Sequence, residues 1–172
     1  RINMTIEIWD RQPLSEQERV IGRTKAEGAP LSGGGEFSQP DFHLNGSDGE
    51  PLVATDAHVR LVHSSNNGGV KMLRRGYNFV DGSDGLGRMD AGLFFLAYVR
   101  DPRSHFIPIQ MKLGLGDGLS EYLQHTGSAL FAIPPGIAQA IGTQAAALVR
   151  QNLALAAEGV RLQRLFSEAK LL

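Results

Sequence analysis

The chain contains no cysteine. That absence removes thiolate ligation of iron, iron–sulfur clusters, thiol nucleophiles and disulfides from consideration, and it fits any redox compartment. Charge of one sign is not in excess either: 17 Lys+Arg stand against 18 Asp+Glu. With no basic surplus, and with aromatic residues not interleaved with Lys or Arg, nucleic acid is not an expected partner. No apolar run approaches the roughly 20 residues that cross a bilayer, so no membrane span is expected. No signal peptide is visible. The first residues, Arg1-Ile2-Asn3-Met4-Thr5-Ile6-Glu7-Ile8-Trp9, already alternate apolar and polar with the period of a half-buried strand. A chain that opens inside a strand without an initiator Met is expected to be the later part of something longer.

What is present is enough for one globular core: 172 residues, 42% of them hydrophobic. Leu14 to Gly22 reads as a short helix, with Ser15 as N-cap and Glu18 as its capping-box partner. Glycine and proline crowd residues 22–55 and predict a long loop, of the kind that is usually functional or mobile. The Gly33-Gly34-Gly35 run lacks the spacing and the Lys-Ser/Thr of a phosphate-binding loop. Residues 57–63 read as a short strand or turn, 64–69 as a turn, 70–80 as a strand and 81–88 as a Gly/Asp turn. Ala91 to Val99 is the most apolar run and predicts a central buried strand. Helices are expected over His105–Leu115 and Leu119–His125, and a last short strand over Ala129–Ile133. Residues 137–171 read as one long amphipathic helix or two shorter ones, with a weak point at Gly159. Strand–helix–strand–strand–helix–strand predicts an α+β fold with a ferredoxin-like antiparallel sheet, helices on one face and a C-terminal helical tail. The expected division is residues 1–136 as one module and 137–172 as a tail of unknown role.

One histidine stands in a suggestive setting, in Asp56-Ala57-His58-Val59-Arg60, upstream of Arg74-Arg75-Gly76-Tyr77-Asn78-Phe79. Neutral imidazole is the commonest metal ligand among side chains and the proximal ligand of many haem irons. A lone histidine in a short element is also commonly structural, and both readings stand on spacing alone. His43, His63, His105 and His125 show no metal-type spacing among themselves.

Five segments, these two among them, fall in an ordered series. They are Ile21-Gly22-Arg23-Thr24-Lys25 with Gly28-Ala29-Pro30-Leu31, Asp56 to Arg60, Arg74 to Tyr77, Gly92-Leu93-Phe94-Phe95-Leu96-Ala97-Tyr98, and Tyr122 to Gly127-Ser128. The series resembles the C-terminal half of dye-decolourising peroxidases, and most closely their exported deferrochelatase/peroxidase branch. The resemblance covers residues 1–136. It implies haem b as cofactor, His58 as the iron's proximal ligand and Arg74 as the distal arginine, with Arg75 the alternative if the register slips by one. It places Asp117 as the carboxylate behind His58, with Glu121 as second choice and helix capping as the competing role for Asp117. Arg23 and Arg60 become candidates for haem propionates or for surface ion pairs. Leu93 and Phe95, on one face of a strand, become distal-wall candidates as well as core residues.

The implied activity is haem-dependent reduction of hydrogen peroxide with oxidation of dyes or phenols, small aromatic reductants, and an exported, periplasmic or extracellular, location. Two readings compete with it. One is a haem-binding or iron-delivery module without peroxidase turnover. The other is half of a split protein, acting as an interaction domain or completed as a homo-oligomer. The chain departs from the family pattern in one respect: the Gly-x-x-Asp-Gly motif that carries the distal acid is expected ahead of the proximal histidine. Gly114-Leu115-Gly116-Asp117-Gly118 matches those letters but follows His58, so it is read as a coincidence at the proximal carboxylate's position. Activity of these residues alone is therefore expected to be weak.

Overall fold

A β-hairpin anchors the sheet. Its strands β2 (Leu73–Ser83) and β3 (Met89–Tyr98) pair antiparallel from Leu73↔Tyr98 to Val80↔Ala91, and the register shifts between Val80 and Ser83. The turn closes on Asp84, whose carboxylate accepts from the backbone N–H groups of Leu86 (2.8 Å) and Arg88 (3.1 Å), the local alternative to ladder bonding that Asp favours at turns. β1 (Ile2–Met4) lies along the other side of β3, with Ile2 opposite Leu93, and β4 (Leu123–His125) lies along β1, with Ile2 opposite His125. The sheet order is β2-β3-β1-β4, antiparallel throughout. Helices fill both crossovers, which gives the expected βαββαβ connectivity and the α+β class. The computed structural model describes residues 1–133, of which Arg1–Ser128 form one unit. The expected tail helix over 137–171 lies outside the described residues.

Between β1 and β2 come α1 (Ile6–Trp9), α2 (Leu14–Ile21) and α3 (His58–Val62). Between β3 and β4 come α4 (Pro102–His105), α5 (Ile107–Gly116) and a 3₁₀ turn over Gly118–Tyr122. α3 packs chiefly on α2, α5 and the neighbouring 3₁₀ turn at Ser64–Asn66, while α5 packs on α3, α4 and the Gly118–Tyr122 turn. Neither makes its main contacts with β2 or β3. The tightest burial is where α2 meets α3: Val20, Val53 and Ala57 are almost without solvent contact. Gly22 makes this junction possible. It ends α2 with φ 87°, and a Cβ there would run into the Val59 side chain and lie 3.1 Å from Val53, so only glycine suits both the left-handed turn and the close approach.

Several segments differ from the sequence reading. The first strand stops at Met4, because Thr5 leaves the extended region and its N–H goes to the Tyr122 carbonyl (2.9 Å). α1 then carries Trp9 to an edge-on contact with Tyr122 at 4.9 Å, a burial that period-two patterning could not anticipate. Ser15 does not cap α2. Pro13 occupies the N-cap position, and Glu18 instead accepts from Lys25 N–H at 2.9 Å. His58 opens a helix, not a strand: Arg60 and Leu61 donate back to the Ala57 carbonyl. The expected helix over His105–Leu115 becomes two, with a break at Phe106 and Pro108 in the first turn of α5, where its missing N–H costs nothing. Leu119–His125 divides into the 3₁₀ turn and β4. Ala129–Ile133 forms no strand, and Leu130, Phe131 and Ile133 are exposed; an apolar run becomes a strand only where it finds a pairing edge.

Gly92 is the closest point of β3 to β1. A Cβ there would fall on the Ile2 carbonyl oxygen and come within 2.9 Å of Asn3 Cα. Backbone cannot yield as a flexible side chain can, so Gly92→Ala is expected to cost about 3 kcal/mol, read as a lowered midpoint in denaturant unfolding followed by circular dichroism.

Candidate functional site

His58 enters the site from the first turn of α3, and its Nδ1 lies 2.6 Å from Asp117 Oδ2. Asp117 ends α5, and its side chain is 2% exposed against 31% for His58. Its other oxygen, Oδ1, accepts from Leu119 N–H at 2.9 Å and so caps the 3₁₀ turn. The two roles weighed for Asp117, capping and pairing with His58, are therefore filled together, one by each oxygen. Glu121 is exposed on the same turn and makes no hydrogen bond or ion pair with His58. An ionised carboxylate only accepts, so in the neutral ring the proton belongs on Nδ1. Nε2 then holds the free lone pair, and no partner meets it within the described residues.

This donor set tests what the site can hold. Among the described residues no group of three or more His, Cys, Asp or Glu is placed to bind a bare ion, which needs several protein ligands. One histidine with its far nitrogen tied to a carboxylate is the protein's share when a porphyrin supplies the other donors. The residues present fit haem.

On the sheet, alternation separates the candidates. Arg74 pairs with Ala97, Gly76 with Phe95 and Asn78 with Leu93, so Arg74, Leu93 and Phe95 share one face of the hairpin. Arg75 pairs with Leu96 and lies on the other face, with Tyr77, Phe94 and Tyr98. The Leu93–Phe95 face is the better covered: Ala91 is 2% exposed, whereas Tyr77 and Tyr98 on the far face are 57% and 47% exposed. The Arg74 guanidinium is exposed and makes no hydrogen bond or ion pair with the described residues. A bulkier residue at Gly76 would press on Leu93, whose Cδ1 lies 3.0 Å from the place a Cβ would take.

Arg23 and Arg60 make no ion pair among the described residues. Arg23 Nη1 donates to the carbonyls of Gly28 and Glu36, pinning the loop after α2. Arg60 Nη1 donates to the Val53 carbonyl at 2.8 Å, and its guanidinium stands 5.5 Å from the Phe42 ring centre. Both keep N–H groups beyond these bonds. His63, His105 and His125 are engaged locally with Ser65 and Gln39, with Asp101 and Ser104, and with Gln110. A hollow of about 490 Å³ opens at the end of the hairpin beside Leu73, Tyr98 and Arg100. It does not include His58. Sequence reasoning missed Arg19, which contacts the segment leading to His58; the i,i+3 spacing of Glu16 and Arg19 was the available signal.

An α+β unit presenting a carboxylate-oriented histidine from a helix and an unpaired arginine from a hairpin defines a candidate haem-binding module. A family model described as "Dyp-type peroxidase, C-terminal" matches residues 1–138. The chain is 44% identical over 135 residues to the "Dye-decolorizing peroxidase" of Thermobifida fusca, covering 78% of this chain and 31% of that protein. It is 37% identical over 152 residues to the "Deferrochelatase" of Escherichia coli K12, covering 87% and 35%. The fold matches the oxyferrous complex of DtpA from Streptomyces lividans with a TM-score of 0.71 at 42% identity, over 73% of this chain and 35% of that one. The chain therefore belongs to the Dyp-type peroxidase family, in its C-terminal part. It spans about a third of the length of these relatives.

Because Asp117 serves both as cap and as acceptor, Asp117→Ala is expected to lower unfolding stability by about 2 kcal/mol. Asp117→Asn keeps an oxygen for Leu119 and should lose less; comparing the two in urea unfolding separates the roles.

Proposed function

We propose that this chain is the haem-holding part of a Dyp-type peroxidase, acting on hydrogen peroxide with small aromatic compounds or dyes as reductants. The observation that carries the reading is His58, with Nδ1 tied to buried Asp117 and Nε2 unpartnered. In this reading Nε2 ligates haem iron and Asp117 keeps the imidazole in the right tautomer and orientation. Bound haem supplies a redox-active iron that exchanges electrons with peroxide. Arg74 would serve as the distal arginine, its fixed donors available to stabilise developing negative charge. Its position on the Leu93–Phe95 face supports Arg74 over Arg75 for this role. Leu93 and Phe95 then wall the distal pocket, and the remaining N–H groups of Arg23 and Arg60 pair with the propionates. Residues 1–136 make up the haem-holding module. An exported location is part of this reading, suggested by the family resemblance, and among the described residues no helix is long and apolar enough to cross a membrane.

The likeness to a deferrochelatase favours a second reading, removal of iron from haem. The two separate by product: peroxide-dependent dye bleaching with haem retained, or metal-free porphyrin accumulating without bleaching.

Titrating haem into the purified chain should give a Soret band that His58→Ala weakens at least tenfold in affinity. An unchanged titration in that variant would remove His58 as ligand. Arg74→Ala should keep the Soret band and bind fluoride on ferric iron about tenfold more weakly, since one charge-assisted hydrogen bond is lost. Arg75→Ala should bind it normally.

A further inference from the structure

The His58–Asp117 pair is bridged a second time through the backbone. Gly118, next after Asp117, donates its N–H to the carbonyl of Asp56, two residues ahead of His58, at 3.1 Å. The approach is close: a Cβ on Gly118 would lie 3.2 Å from Asp56 Oδ2. Asp56's carboxylate in turn receives Arg19 Nη1 from α2, at 2.8 Å to one oxygen and 3.0 Å to the other. The other edge of the same guanidinium is occupied from its own helix: Nε and Nη2 donate to the two oxygens of Glu16, each at 2.9 Å. Arg19 is thus clamped between two carboxylates, one on α2 and one on the peptide that delivers His58. Its hydrogen bond holds the Glu16 carboxyl below the ordinary carboxylate range.

We infer that Glu16, Arg19 and Asp56 form a positioning device for the iron ligand. By tying Asp56 to α2, the clamp fixes the carbonyl that receives Gly118 N–H, and with it the spacing and angle between His58 and Asp117. These are positioning residues; none touches the iron site itself. The inference rests on the reading of His58 as haem ligand.

The alternative is an ordinary surface pair. The side chains of Arg19, Asp56 and Glu16 are 43%, 41% and 34% exposed, and exposed pairs usually stabilise little. Two features set this one apart. Arg19 donates through both edges of its guanidinium, a fork that Lys cannot copy. Asp56 joins clamp and site within one residue, side chain to α2 and carbonyl to Gly118.

Two readouts test it on the full chain. In the haem-free protein, solvent exchange of the His58 Nδ1 proton is followed by NMR. In the haem-loaded protein, affinity and the iron–histidine stretch are measured. Asp56→Asn and Arg19→Lys are expected to speed proton exchange and to weaken haem binding about tenfold, the scale for losing a group that supports a ligand. The stretch should shift, with the circular dichroism spectrum retained. Asp101→Asn, which cuts the exposed Arg103 pair elsewhere, should change neither. High salt screens exposed charges, so it should speed exchange in the parent chain, a measurement that needs no variant, and should have no such effect in Asp56→Asn. Unchanged exchange and unchanged stretch in both clamp variants would overturn the inference and leave a surface ion pair. Haem affinity indifferent to His58→Ala would overturn the ligand reading instead, and the proton-exchange arm would still decide the clamp.

Discussion

A histidine presents its lone pair in a fixed direction only if its other nitrogen is held. Here the holder is Asp117, a carboxylate with almost no solvent contact. Burying such a group is costly unless every lone pair in reach is used. Asp117 meets that condition by splitting its oxygens between the His58 ring and a backbone N–H. The arrangement commits α3, the end of α5 and the 3₁₀ turn after it to one geometry. The close packing of α2 on α3 at Gly22, and the break in chain direction at Asp117, both serve that geometry.

The hairpin contributes through register. Side chains alternate across a strand, so the slip of one residue that separates Arg74 from Arg75 also decides which of them stands beside Leu93 and Phe95. The helices of the site pack mainly among themselves. The candidate ligand His58 thus stands on a helical cluster and Arg74 on a sheet face.

Much of the fold was legible in the sequence because its long elements are strongly patterned. The hairpin strands and the loop after α2 were legible from apolar runs and from glycine and proline punctuation, and α2 from a capping pattern at Ser15 and Glu18 that the structure does not use. The βαββαβ order followed from these. What escaped was set by contacts between distant residues. Nothing local in Arg1–Trp9 says that Thr5 will give its N–H to Tyr122, or that Trp9 will meet the Tyr122 ring. The helical start at His58 was hidden because Ala57-His58-Val59 alternates as a strand would, while packing against Gly22 and Asp117 favours a turn of helix. For the candidate site, His58, Arg74 and Asp117 were singled out through the family resemblance, and the structure brings His58 and Asp117 together. The double duty of Asp117 was not legible, since a capping residue and a ligand's acceptor look alike in one dimension. The loop-pinning bonds of Arg23 and Arg60 were missed for the same reason: backbone carbonyl acceptors leave no trace in sequence.

The three residues of β1 sit between β3 and β4, pairing with strands that lie far later in the chain. Each pairing closes a long loop, and chain entropy opposes such closures until many contacts form together. The hairpin can assemble from its own residues, but the sheet becomes four-stranded only when Leu123–His125 arrives. Asp117 lies just upstream of that strand, so the ligand pair and the last edge of the sheet depend on the same late segment. Order in the His58–Asp117 pair is thus coupled to the same long-range closure that completes the sheet.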